Sequence, residues 1–269
     1  MKKNQLVVKS NDLVNAAYRL SLVEQRLLLA CIAQIDSRDA LTEEDVFEIS
    51  ASEIMDLLGE SAQRGTIYRD LKVATERLWG RTISFSDNEN HYGKRRWITE
   101  VDYFLNEGRV RIRFSRDVIQ YLSGLKSAFT QYKLEYVAHF KSSYSVRIYE
   151  LLVQWMSTGE REISVDELRE KLVLGDKYQI VSEMKRQVLD KAVKDINKYS
   201  NIRCSYGQRK LGRKVIAFQF KFKLKDSTGA SGKNRDLSKI GQLVSGSTQD
   251  ARPGETMIEY LARKKRDKK

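Results

Sequence analysis

The chain has 269 residues, enough for two domains of about 100–130 residues with a core each. Lys and Arg number 49 against 36 Asp and Glu, a formal net charge of +13, which points to a polyanionic partner. No apolar run approaches ~20 residues and no lipidation signal is present, so a membrane partner is not expected.

Cys31 and Cys204 lie far apart in apolar or strand-like contexts, so they build neither a disulfide framework nor a zinc site and read as buried, reduced thiols. Met1-Lys2-Lys3-Asn4-Gln5 opens like a signal sequence, but polar residues interrupt the stretch after it and no small-residue cleavage site appears. A cytoplasmic protein is expected.

The first strong element is an apolar helix from Leu20 to Ile35, where Ser21 can cap and Glu24, three residues on, completes a capping box. Phe47-Glu48-Ile49 reads as a short strand, and Ser50 or Ser52 starts a helix through Ile54, Leu57 and Leu58 that Gly59 stops. Ile67, Leu71, Ala74 and Leu78 then recur on one helical face, with Arg69, Lys72 and Glu76 opposite. Strand-like stretches follow at Arg81 to Phe85, from Arg95 through Ile98, and at Arg109 to Phe114, with a wing between the first two that contains His91 and Lys94. Helix, strand, helix, helix and β-ribbon is the winged-helix plan.

Ser115 to Tyr136 reads as an ordered connector, helical in two pieces. The second half then repeats the order of the first: a helix from Ser143 to Trp155, a strand at Ile163-Ser164, a helix from Asp166 to Leu172, and a long helix from Ser182 to Tyr199. The wording repeats too. Ile49-Ser50-Ala51-Ser52-Glu53-Ile54 parallels Ile163-Ser164-Val165-Asp166-Glu167-Leu168, and Leu71, Ala74 and Leu78 parallel Leu189, Ala192 and Ile196. Strands at Ile202 to Tyr206 and Val215 to Phe222 enclose Gly207 to Lys214, read as the turn of a basic hairpin with a glycine near each end. The fold class is α+β: two tandem winged-helix domains, residues 1–136 and 137–225, followed by a flexible basic tail, 226–269, in which a short helix near Glu255 to Ala262 is allowed.

Each third helix precedes a basic ribbon, the arrangement in which a helix enters a major groove while a wing grips phosphate. Lys185, Arg186 and Gln187 are the candidates for base readout, and Arg209, Lys210, Arg213 and Lys214 for backbone contact from the C-terminal wing. Thr66, Arg69, Lys72, Lys94, Arg95 and Arg96 are the DNA candidates of the N-terminal domain. Tyr206, Phe218, Phe220 and Phe222 suggest a single-strand stacking platform, but the three phenylalanines alternate as an inward strand face does and read as core. An enzyme is not expected. Only two histidines exist, His91 and His139, there is no His-x-His, and Gly229 to Asn234 lacks the first glycine and the Ser/Thr of a phosphate loop. No cofactor or metal is expected.

The chain resembles the iteron-binding replication initiators of bacterial plasmids over about Leu6 to Leu224. The segments that carry the likeness are Leu22 to Leu29 (Leu-Val-Glu-Gln-Arg-Leu-Leu-Leu), Tyr68 to Lys72, Tyr144 to Leu152 (Tyr-Ser-Val-Arg-Ile-Tyr-Glu-Leu-Leu) and Gly212 to Val215, with Arg252 to Glu255 in the tail. The resemblance implies two winged-helix domains that bind direct repeats at an origin, opening of an AT-rich stretch, and recruitment of the host chromosomal initiator and replicative helicase. It also implies a homodimer that represses the initiator's own gene through an inverted repeat. The C-terminal domain would then read bases through Lys185, Arg186 and Gln187, while the N-terminal domain grips DNA or dimerises. A transcriptional repressor without a replication role and a DNA-nicking enzyme are the alternatives.

Overall fold

The structure, a computed structural model, describes residues 5–58, 67–88 and 91–225. The chain opens with strand β1 (Leu6–Ser10) and helix α1 (Asn11–Asn15), two elements without a strong local signature. Helix α2 (Leu22–Ile32) begins at the predicted capping box: Ser21 Oγ accepts from Glu24 N at 3.3 Å and the Glu24 carboxylate accepts from Ser21 N at 2.8 Å. No residue of α2 is exposed, and Leu27 to Ile32 are all buried. A helix with no exposed side is a core helix. Its apolar length is therefore accounted for within the chain, and it presents no exposed stripe to a second copy.

β2 (Val46–Ser50), α3 (Ala51–Leu58) and α4 (Ile67–Trp79) follow, then β3 (Thr82–Asn88), β4 (His91–Arg96), β5 (Ile98–Phe104) and β6 (Arg109–Phe114). The sheet order β2-β6-β5 is antiparallel, and β3 and β4 form a separate two-stranded sheet. In the second unit α7 (Ser143–Val153), β8 (Glu160–Ser164) and α8 (Val165–Lys171) precede a helix in three parts, α9 (Val181–Met184), a π-helical turn (Lys185–Leu189) and α10 (Asp190–Tyr199). β9 (Ile202–Leu211) and β10 (Lys214–Leu224) complete the sheet β8-β10-β9.

The repeat seen in the sequence is a repeat of structure. Ser50 and Ser164 each accept from the N–H three residues on, at 3.2 and 3.0 Å, turning strand into helix in both units. Leu71, Ala74 and Leu78 are buried on α4, as are Leu189, Ala192 and Ile196 in the second unit. In chain order, first strand, third strand, second strand is the arrangement of both three-stranded sheets, the last strand of each lying in the centre. By this equivalence β5–β6 is the counterpart of the β9–β10 wing, and β3–β4, which the sequence presents as the wing, is an additional hairpin.

The connector departs from the two predicted helical pieces. It holds a single turn, α5 (Arg116–Ile119), then strand β7 (Phe129–Lys133), then α6 (Glu135–Ala138). β7 pairs antiparallel with β1, Val7 opposite Tyr132 and Lys9 opposite Thr130, and buries Thr130 and Tyr132 on alternate positions. A strand whose partner lies more than a hundred residues upstream leaves only a faint local signal, here the Phe-Thr-Gln-Tyr run of β-formers. β1, α1 and β7 lie between the units. Tyr132 and Phe140 both pack edge-on against Tyr149 of α7, at 5.3 and 5.7 Å between ring centroids, within one apolar core that runs through both units.

Candidate nucleic-acid interface

The long helix of the second unit buries Met184, Val188, Leu189, Ala192 and Ile196. Its interruption is a correction to the uniform helix read from the sequence. In the π turn Asp190 N donates to Lys185 O, which widens the coil by one residue and lets the neighbours Val188 and Leu189 both face the core. Lys185, Arg186 and Gln187 occupy this turn. Arg186 is exposed, with Glu183 at 3.9 Å, whereas Lys185 and Gln187 are half-buried and Gln187 Oε1 accepts from Lys191 Nζ at 2.6 Å.

Two residues hold this helix in place: Arg169, which sequence reasoning missed, and Tyr206, which it named only for stacking. Arg169 of α8 donates to three carbonyls of the preceding turn: Tyr178 at 2.8 Å, Gly175 at 2.6 Å and Lys177 at 2.9 Å. The same turn carries Val173 and Tyr178 at φ of 48° and 54°, a costly conformation for a β-branched residue, and the guanidinium fixes its shape. From the other side, Tyr206 on β9 donates to Asp190 Oδ1 at 2.6 Å. Burial, with the Asp190 carboxylate, pushes the Tyr206 phenol above its ordinary range, so it stays a donor. Tyr206 rests on Phe218 and Phe220, which with Phe222 are buried, in line with the core reading of the three phenylalanines.

The wing extends further than predicted. β9 continues to Leu211 and the turn shrinks to Gly212-Arg213, with Gly212 at φ +59°, while Gly207 lies within the strand opposite Gln219. Lys210, Arg213 and Lys214 are exposed at the tip and make no ion pair among the described residues. Arg209 differs: it grips Glu162 of β8 at 2.9 and 2.8 Å. Hydrogen bonds from Arg209 and Gln219 hold the Glu162 carboxyl below its ordinary range.

The first unit is compensated more fully. Arg109, Arg111 and Arg113 of β6 are paired, Arg109 with Glu48 and Glu107, Arg111 with Asp102, and Arg113 with Glu44 and Glu100. On α4, Arg69 is exposed beside Asp70 at 3.7 Å, and Lys72 lies 5.5 Å over the Tyr103 ring. On β4, Lys94 is exposed, Arg95 faces Asp117 at 3.5 Å, and Arg96 donates to Trp79 O at 2.7 Å, closing the end of α4. Thr66 lies outside the described residues, as does the tail beyond Lys225. Among the described residues no group of three His, Cys, Asp or Glu is placed to hold a metal, and no helix is long and apolar enough to cross a membrane.

The arrangement is a helix presented between a fixed turn and a cationic ribbon. A replication initiation protein of Escherichia coli is 28% identical over 222 residues, 80% of this chain and 69% of that protein. The PI protein of Escherichia coli is 27% identical over 261 residues, 82% of this chain and 84% of that protein. The crystal structure of the Pi initiator protein in complex with iteron DNA superposes with a TM-score of 0.72 at 26% identity, covering 84% of this chain and all of that one. The model of the initiator replication protein WH1 unit matches residues 6–153, and that of the initiator Rep protein WH2 unit matches residues 164–222. The chain belongs to the family of initiator replication proteins and carries both winged-helix units of that family.

Proposed function

We propose that this chain is a plasmid replication initiator that binds iterons, the direct repeats of an origin, as double-stranded DNA and acts by binding, without catalysis. The observation that carries the reading is the second unit's wing tip. Lys210, Arg213 and Lys214 are exposed without ion pairs among the described residues, beside a helix that presents Arg186, while the first unit's equivalent strand has its arginines paired with carboxylates. The second unit therefore contributes base readout through Lys185, Arg186 and Gln187, with guanidinium matching guanine O6 and N7, and the first unit adds backbone grip from Arg69, Lys72 and Lys94. The Pi initiator bound to iteron DNA supports the same mode.

Bound arrays then help to open a neighbouring AT-rich stretch, the host chromosomal initiator and replicative helicase are recruited, and a homodimer represses the gene through an inverted repeat, all in the cytoplasm. The test is footprinting on direct repeats beside the gene, together with supply of the protein in trans to a plasmid that lacks it. Protection of the repeats with restored replication is expected. Protection without replication would make the chain a repressor, and nicking of supercoiled origin DNA with divalent metal would make it an enzyme.

A further inference from the structure

Residues Leu6 to Tyr18 tie the two units together. At one end, Ala17 and Ser84 of β3 exchange backbone hydrogen bonds at 2.9 and 2.8 Å, and Tyr18 packs edge-on against Trp97, 5.0 Å between centroids. At the other end the strap is gripped by α7, whose Leu151 and Leu152 lie in the same core as Ala192 and Ile196 of α10. Arg147 donates to Val14 O at 3.0 Å, Ala16 O at 2.8 Å and Tyr18 Oη at 2.6 Å. Glu150 accepts from Lys9 at 2.5 Å, Tyr132 at 2.6 Å and Arg147 at 3.0 Å. Lys171 of α8 donates to Asn15 O at 3.1 Å, and Arg161 of β8 to Asn15 Oδ1 at 3.2 Å.

Lys9, Arg147 and Glu150 are almost wholly buried, with side-chain exposures of 4%, 2% and 0%. Replacing a buried ion pair by apolar residues of similar volume is often neutral or stabilising, so what distinguishes this cluster is its directional geometry. The guanidinium fork can accept only one placement of the Val14 and Ala16 carbonyls and the Tyr18 hydroxyl at once. The strap thus holds the first unit's β3–β4 hairpin at one angle to the second unit's helices.

We propose that Lys9, Arg147 and Glu150 are positioning residues that set the distance and rotation between the two DNA-contacting surfaces, and so make the spacing within one binding site a determinant of specificity. This rests on the proposed function, in that both units must meet one duplex. Each inserted base pair turns the second half of a site by about 34°, since a turn holds about 10.5 base pairs.

The test uses the full chain and origin repeats with 0, 1, 2 or 5 base pairs inserted between the stretches each unit protects. Wild-type affinity is expected to fall steeply, by about 5- to 150-fold at five base pairs. Lys9→Met leaves the Arg147–Glu150 pair balanced, and the double variant Asn15→Ala with Lys171→Met loosens the strap away from the buried cluster should Lys9→Met fold poorly. Either should flatten the profile to within about threefold while both footprints persist. Folded variants as spacing-sensitive as wild type would overturn the proposal alone. A flat wild-type profile would overturn the two-surface reading and the proposal with it.

Discussion

The Tyr206 phenol sits 2.6 Å from Asp190 Oδ1, so a strand of the wing is bonded to the helix it flanks at the first residue after the π turn. Asp190 is exposed on the helix face that carries Arg186. A carboxylate there repels phosphate unless it is neutralised locally, and the phenol both orients it and shares its charge.

Tyr206→Phe should therefore weaken DNA binding about 3- to 10-fold, the worth of one hydrogen bond, with little change in melting temperature because the ring packing on Phe218 and Phe220 is kept. Asp190→Asn in the same background should recover part of the loss by removing the charge. A double variant as weak as Tyr206→Phe alone would show that the bond acts through geometry only.

Arg209 stands in the predicted phosphate-contacting set, yet without DNA it is held by Glu162. Glu162→Gln keeps a hydrogen-bond acceptor and removes the charge, releasing the guanidinium. Affinity for specific and random duplex should rise together, and the slope of log K against log salt should steepen by about 1. Mobility shifts between 50 and 200 mM salt read this directly, and an unchanged slope would mean Arg209 stays off the backbone.

Base readout and backbone grip separate by a second pair of variants. Arg186→Ala should cost about 1–3 kcal/mol on the specific site and relax preference at one base pair, whereas Lys210→Ala should weaken all sequences alike. If the surfaces together neutralise about 6–10 phosphates, wild-type affinity falls about 10³–10⁵-fold between 50 and 200 mM salt. Equal losses on specific and random DNA for Arg186→Ala would move it to the backbone group.

The candidate site and the strap hold residues of two kinds. Arg186, Lys210, Arg213 and Lys214 were legible because helix period, strand alternation and a glycine turn are local signals, and because the two halves repeat their wording. Arg169, Glu162 and the strap were not, since a side chain that bonds to carbonyls or crosses to another strand carries no sequence period. The π turn is equally silent: burial of both Val188 and Leu189 selects it, and that is a property of the packed core. The pairing of the β6 arginines is silent for the same reason. Alternation exposed their positions, while the carboxylates that neutralise them come from β2, β5 and the loops beside them.

The buried cluster also fixes how stability responds to acid. Burial alone would raise the Glu150 carboxyl, but Lys9 and Arg147 with the bonds from Lys9 and Tyr132 outweigh it and hold the group below its ordinary 4.5. Tyr18 and Tyr132, which also face it, are raised above the ordinary tyrosine value, chiefly by burial, and stay neutral donors throughout the acid range. A carboxyl lower in the folded than in the unfolded chain gives stability that is complete above the unfolded value and is lost as pH falls through the folded one. Unfolding free energy should therefore be level near neutrality and decline below pH 4.5, by up to about 1.4 kcal/mol per pH unit from this one group. Lys9→Met removes the first of the two cations that oppose burial, so the folded-state value moves up toward the unfolded one and the decline should level off at higher pH, with a smaller total loss, than in wild type. Urea unfolding from pH 7 to pH 3 checks both statements. Coincident acid limbs for the two proteins would show that the Lys9–Glu150 pair does not set the ionisation of this cluster.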